Sequence, residues 1–254
     1  NILCPTPEGN FKDWIWAQQQ TGQERSDGKK PGMLGDWFEV DPNIIDKSDP
    51  DCIWDTREVL RRAGQGEKKY TTHLMWSPVR ALILFIKLHL PLRTYQVRML
   101  DSGEADTWRY EKGEWRLNRI HSFTEGRENA PVQKGIFRRI RSFDTGDYHT
   151  GFYINTNKTA DQNKDTTEYG YIIPWEYKEV LYWLEKLRNW QERYNPITQP
   201  TQWVTLQKRH LGQLKSHQVL KQMGASCFLF RNASATNLKD KAKPINGNTP
   251  PGLW

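Results

Sequence analysis

The chain reads as an α+β protein: a mainly helical catalytic-type domain carrying a small three-stranded antiparallel sheet. Three observations predict this. An apolar run at helical length follows Ser77-Pro78. Three short runs rich in β-branched and aromatic residues, separated by Asp, Gly and Asn clusters, lie between residues 134 and 175. Residues 176–194 then return to helical spacing. Helices, then antiparallel strands, then helices is an α+β order.

The elements follow in turn. Residues 1–70 are polar and dense in turn signals such as Asp41-Pro42 and Asp49-Pro50. They are expected to form an irregular N-terminal region or linker, with short helices at 11–20 and 55–63 and a loop at 22–35. A second region, 71–254, carries the sharper patterns. Ser77 is a good N-cap and Pro78 suits the first helical position. The sequence VRALILFIKLHL that follows is apolar nearly all round, which predicts a helix buried on most faces. Pro91 ends it, because proline lacks an amide donor and restricts the residue before it. A second helix is predicted over 92–100. Strands are predicted at 134–143, 150–155 and 169–175. In 176–194 the apolar positions Tyr177, Val180, Leu181, Leu184, Leu187, Trp190 and Tyr194 recur on one helical face. A further helix is predicted at 203–223, and a short apolar run at 228–230 precedes a polar tail.

Composition limits the classes open to the chain. Twelve Trp, ten Tyr and nine Phe among 254 residues exclude a disordered chain. With 37 Lys and Arg against 30 Asp and Glu, the net charge of +7 favours an anionic partner. Cys4, Cys52 and Cys227 are far apart, odd in number and form no CxxC, which argues against a disulfide framework or a cysteine-rich zinc site. Reduced thiols and a cytoplasmic location are expected. The longest apolar run, 81–86, is too short to span a bilayer, so no membrane partner is expected. The chain opens at Asn1 without Met and closes on Pro-Pro-Gly-Leu-Trp254, which reads as a piece of a longer protein.

Several motifs carry candidate chemistry. Residues 22–30 approach a phosphate-binding P-loop, but the spacing is wrong by one and Pro31 blocks the helix it needs. The six histidines show no metal-ligand spacing. Asp101, Glu104 and Asp106 form an acidic cluster that reads either as a polar connection or as a Mg²⁺ site. Arg138, Arg139 and Arg141 share one predicted strand. Alternation puts 138 and 139 on opposite faces, so one face cannot hold all three. They read as a solvated edge strand or as phosphate ligands for DNA. Arg93 follows the helix break at Pro91 and opens the next helix, which suits a guanidinium fork to a phosphate. About sixty residues later, Lys158 sits in the turn after TGFYIN, followed by a polar stretch and then GYIIPW at 170–175.

In that order these segments resemble the catalytic domain of tyrosine recombinases, the phage-integrase family. Pro91-Leu92-Arg93 matches the helix start bearing the family's first catalytic arginine. Asn157-Lys158-Thr159 and Ile172-Ile173-Pro174-Trp175 match the hairpin that carries the catalytic lysine. Residues 176–194 match the following helix, and Phe228-Leu229-Phe230 a later segment. The resemblance covers about residues 72–235. It implies DNA strand cleavage and rejoining through a phosphotyrosine link, without metal, ATP or other cofactor. Double-stranded DNA would be the partner, with a multimer on DNA as the family's mode of assembly. Arg93 would stabilise the phosphoryl transition state and Lys158 would protonate the leaving 5′-oxygen, with Lys164 as the fallback. The sequence departs from the pattern in two places. Gln96 stands where the family has a carboxylate. No histidine has an arginine three residues on, and no tyrosine follows Tyr194. On this resemblance, 71–254 is the N-terminal portion of a recombinase-like domain and inactive alone. Two other readings stay open: a non-catalytic DNA-binding module, and a Mg²⁺-dependent nuclease using Asp101, Glu104 and Asp106.

Overall fold

The computed structural model describes residues 8–14, 36–63, 66–156 and 170–247. The P-loop-like stretch at 22–30 and the segment holding Lys158 and Lys164 lie outside these residues. The chain divides into two compact units, Asn1–Ala81 and Leu82–Trp254.

The first unit is built on a sheet. Strands β1 (Trp37–Glu39), β2 (Trp54–Ala63) and β3 (Gly66–Trp76) lie in the order β1-β3-β2, all antiparallel. Residues 55–63, expected as helix, are strand instead. Every residue of β2 pairs with β3, from Trp54↔Met75 to Ala63↔Gly66. Ladder pairing along a partner such as YTTHLMW overrides the weak helical preference of DTREVLRRA. The core of this unit is aromatic. Phe11 and Trp14 are fully buried and meet edge-on at 5.8 Å, and Phe11 meets Trp76 at 6.2 Å. Arg80 pairs with the buried Asp36 at 3.3 Å.

Helix α1 (Val79–His89) follows, and the division between the units falls within it. In the second unit its residues Leu82, Ile83, Phe85 and Ile86 are buried, as its all-round apolar pattern requires. After Pro91 comes the short helix α2 (Thr94–Arg98). A hairpin of β4 (Trp108–Glu111) and β5 (Glu114–Leu117) turns through Lys112 and Gly113, with φ of 50° and 84°. Two positive φ values are what a tight primed turn demands. A second small hairpin joins β6 (Gly126–Arg127) to β7 (Ala130–Pro131).

The central sheet of this unit is a meander of β8 (Phe137–Arg141), β9 (Tyr148–Ile154) and β10 (Tyr171–Ile173), all antiparallel. It occupies the region where three strands were predicted. Helix α3 (Lys178–Tyr194) follows and buries Val180, Leu181, Trp183, Leu184, Leu187 and Trp190. Residues 203–223 are not one helix. A 3₁₀ turn at Trp203–Thr205, α4 (Lys208–Leu211) and α5 (His217–Gln222) replace it. Gly212 stops α4 with φ 76°, and Ser216 restarts the chain by accepting the Val219 amide at 3.2 Å. Strands β11 (Thr201–Gln202) and β12 (Ala225–Ser226) pair antiparallel, and α6 (Leu238–Lys241) comes last.

The class is therefore α+β, but not mainly helical. Among the described residues there are twelve strands in five small sheets and six α-helices, most of them short. The excess of strand comes from pairings that local periodicity does not signal: an entire N-terminal sheet and three two-stranded pairs.

Candidate functional site

Arg93 occupies the N-cap position of α2, in extended geometry (φ −71°, ψ 148°). Its side chain is exposed and makes no hydrogen bond or ion pair with a described residue. Its backbone is held from three residues ahead, where Gln96 Oε1 accepts the Arg93 amide at 3.0 Å. This satisfies one of the amides that a helix start leaves unpaired.

Gln96 is buried, at 5% exposure, and its other end reaches the central sheet. Gln96 Nε2 donates to the Thr156 carbonyl at 3.1 Å and to the Tyr171 hydroxyl at 3.2 Å. Thr156 ends the described part of the chain leaving β9, and Tyr171 opens β10. A second tie lies alongside, where Asn155 Nδ2 donates to the Met99 carbonyl at 2.7 Å. One amide side chain thus joins the Arg93 backbone to Thr156, just past β9, and to Tyr171 of β10, on either side of residues 157–169. Lys158 and Lys164 belong to that segment, outside the described residues.

The three strand arginines have different fates. Arg138 stacks over the Tyr153 ring at 4.1 Å and donates to the Gln133 carbonyl at 2.9 Å. Burial lowers its pKa, against the opposing charge of Asp106. Gly170 backs the same ring so closely that a Cβ there would overlap it. Arg139 lies between Tyr148 at 4.0 Å and Trp108 at 5.3 Å. Arg141 is exposed at the strand end. Beside Tyr153 an open cleft of about 300 Å³ is lined by Lys134, Asn155, Trp203, Met223 and Ser226.

The acidic cluster has its oxygens committed. Asp101, Glu104 and Asp106 are each at most 2% exposed. Asp101 accepts the amides of Gly103 and Cys227 at 2.8 and 2.9 Å. Asp106 accepts those of Lys134 and Gly135 at 2.7 and 2.9 Å. Glu104 forms a two-pronged pair with Arg231, at 2.5 and 3.1 Å, with neither side chain exposed. Burial and the neighbouring Asp106 charge push the Asp101 carboxyl up to about 7, against the pull of its two amides. Burial likewise raises Asp106 to about 6. The close approach of Gly103 and Gly135 frames this turn, since a Cβ on Gly135 would fall 2.5 Å from the Gly103 Cα.

Glu104, His121 and Glu192 also present ligand atoms within 4.8 Å of one another. Both carboxylates already face arginines. Arg109 grips both oxygens of Glu192 at 2.6 Å each, and His121 Nε2 lies 3.1 Å from one of them. Burial would raise the Glu192 carboxyl, but the hydrogen bonds from His121 and Arg109 overcome it and hold it at about 2. Two guanidinium groups in contact with the same acids leave little room or need for a cation.

Sequence reasoning located Arg93 but missed Gln96, Asn155, Thr156 and Tyr171 as the groups that fix its surroundings. The local signal was a glutamine at the third helical position, which is a capping pattern.

No helix among the described residues is long and apolar enough to cross a membrane. No curated protein and no solved structure matches the chain. A family model described as "Putative integrase" matches residues 1–204, which is most of the chain. The chain belongs to this integrase family.

Proposed function

We propose that the chain is part of a DNA strand-transfer enzyme of the tyrosine-recombinase type, in which Arg93 and Lys158 act on one phosphodiester. The observation that carries this reading is the bridge through Gln96. It ties the helix start bearing an unengaged Arg93 to Thr156 and Tyr171, the described residues near either end of the Lys158 segment. Arg93 would place its planar fork on the non-bridging oxygens, where charge grows in the transition state. Lys158 would give its proton to the leaving 5′-oxygen, and Lys164 is the alternative donor. Of the strand arginines, Arg141 is the one with an exposed, unstacked guanidinium for a backbone phosphate. Arg138 and Arg139 serve the sheet through their ring partners.

The bonding of Asp101, Glu104 and Asp106 weighs against the nuclease reading, since a Mg²⁺ ion would have to displace four backbone amides and a guanidinium. The test is duplex binding by the chain over a salt series. Affinity should fall linearly in log salt, by about 0.9 in slope for each phosphate neutralised. Binding indifferent to salt, or none at low salt, would refute a DNA role.

A further inference from the structure

We infer that the face built from α4 and α6 is a phosphate-binding surface for duplex DNA, with Lys208, Arg209, Lys239, Lys241 and Lys243 as its cations and Asp240 masking two of them. The inference rests on the DNA role proposed above. It adds contacts that lie beyond the family match, which ends at residue 204.

The argument begins with where the charge sits. Residues 1–195 hold 29 Lys and Arg against 29 Asp and Glu. Residues 196–254 hold eight against one, so the entire net charge of +7 falls in this last stretch. One of the eight, Arg231, is buried and already answered by Glu104. The other seven lie between Lys208 and Lys243, and the one acid is Asp240. Like charges gathered on one surface repel each other and do nothing for the fold, while they attract a polyanion.

The fold brings five of these cations together. Arg209 of α4 pairs with one oxygen of Asp240 in α6 at 2.8 Å, and Lys243 reaches the other at 3.0 Å. The Gly247 amide donates to the Arg209 carbonyl at 2.6 Å. Beneath them the buried Arg98 guanidinium donates to the His210 and Ile245 carbonyls, so α4 and the chain leaving α6 share one frame. Lys208, Arg209 and Lys239 are exposed, and Lys241 and Lys243 half-buried. Lys208, Lys239 and Lys241 form no ion pair with a described residue. His210 registers the local field: burial, then the charges of Arg209 and Lys243, push its imidazole down to about 4.

Asp240 shows what such a face accepts. Its two carboxylate oxygens hold a guanidinium and an ammonium together, and a phosphodiester presents two anionic oxygens of the same kind. Membership of an integrase family favours duplex DNA as the polyanion. An anionic lipid surface is the competitor, because Leu238 stands 77% exposed beside Lys239. One leucine supplies little of the apolar area that interfacial binding uses.

The experiment measures four forms of the chain on a short duplex of arbitrary sequence over a salt series. The surface set is Lys208→Gln, Lys239→Gln and Lys241→Gln together. The control set removes as much charge from exposed positions elsewhere: Lys69→Gln, Arg119→Gln and Lys178→Gln. The fourth form is Asp240→Asn. With about 0.9 in slope for each phosphate contact, the surface set should make log affinity against log salt shallower by about 2.7. Between 50 and 200 mM salt the affinity loss then shrinks about 40-fold relative to the native chain. The control set should stay within about one contact of native, 0.9 in slope. Asp240→Asn should bind more tightly at low salt and more steeply, since it releases Arg209 and Lys243 to phosphates.

A surface set no shallower than the control set would overturn the inference. So would Asp240→Asn binding no more tightly than the native chain, and this single exchange carries the test if the surface set fails to melt cooperatively. In both cases salt-dependent binding by the native chain would leave the DNA role standing. Should the native chain itself show no salt-dependent binding, the proposed function falls and this surface with it. The same forms are mixed with phosphatidylcholine vesicles with and without phosphatidylserine. Loss of vesicle binding in the surface set beside native duplex binding would reassign the face to lipid and overturn the inference.

Discussion

Replacing Arg231 by methionine would strip Glu104 of its counter-charge at a site where both side chains are fully buried. The native pair is two-pronged, at 2.5 and 3.1 Å, and Glu104 also accepts the Ser102 hydroxyl at 2.5 Å. Arg231 further donates to the Asn195 carbonyl at 3.1 Å. Methionine fills most of the volume, so the loss is electrostatic rather than a cavity. Removing one partner of a buried ion pair costs about 3–5 kcal/mol, because the other charge stays buried without compensation. For a unit of this size each kcal/mol moves the melting temperature by about 2–4 °C, so a fall of roughly 6–20 °C is expected. The assay is thermal and urea denaturation followed by far-ultraviolet circular dichroism, with an unchanged urea slope as the sign that the native state kept its compactness. Adding Glu104→Leu should recover most of the loss, since an apolar pair can replace a buried ionic one at little net cost. An Arg231→Met chain within about 1 kcal/mol of native would refute the argument, and would mean that the acid is neutral or solvated.

Two further outcomes follow from the site. Stability should fall steadily above about pH 4: Asp101 and Asp106 titrate at about 7 and 6 in the folded chain against 3.8 in the open one, so their contribution is complete below 3.8 and is lost as pH rises from there through 6 and 7. Glu192, held at about 2 against 4.5, contributes above 4.5 and loses that contribution as pH falls toward 2. Melting curves that stay level from pH 5 to 8 would contradict the first trend. In an enzyme carrying this chain with its nucleophile, Lys158→Ala should cleave ordinary DNA poorly and recover on a 5′-phosphorothiolate, whose sulfur leaves without a proton, while Lys164→Ala stays near normal on both. Recovery of Lys164→Ala instead would move the general acid to that residue.

What could be read from the sequence was what is local. The strands at 134–175 and the helix at 176–194 announce themselves by period, and β8, β9, β10 and α3 lie there. The N-terminal sheet was invisible because DTREVLRRA has no clean alternation; its partner strand decides its state. Arg138 and Arg139 were rightly assigned to opposite faces, but a pairing with Tyr153 or Trp108 is a fact of tertiary structure. Gln96 was noticed only as a departure from a family pattern. Its partners lie at Thr156 and Tyr171, and no window of sequence spans that distance.

The buried acids carry a message about folding order as well. Asp101 and Glu104 find their main partners, Cys227 and Arg231, 126 and 127 residues later. The central meander and α3 contain mostly near neighbours and can assemble early. The turn at 101–106 cannot be withdrawn from water until residues 227–231 arrive. At roughly 5–20 residues per second of synthesis, that is a wait of about 6–25 s. The carboxylates are soluble and harmless during the wait, and they become expensive only once the partner segment is there to enclose them. Residues 227–231 therefore close the turn at 101–106, and the cooperative transition of the second unit should depend on them far more than their number suggests.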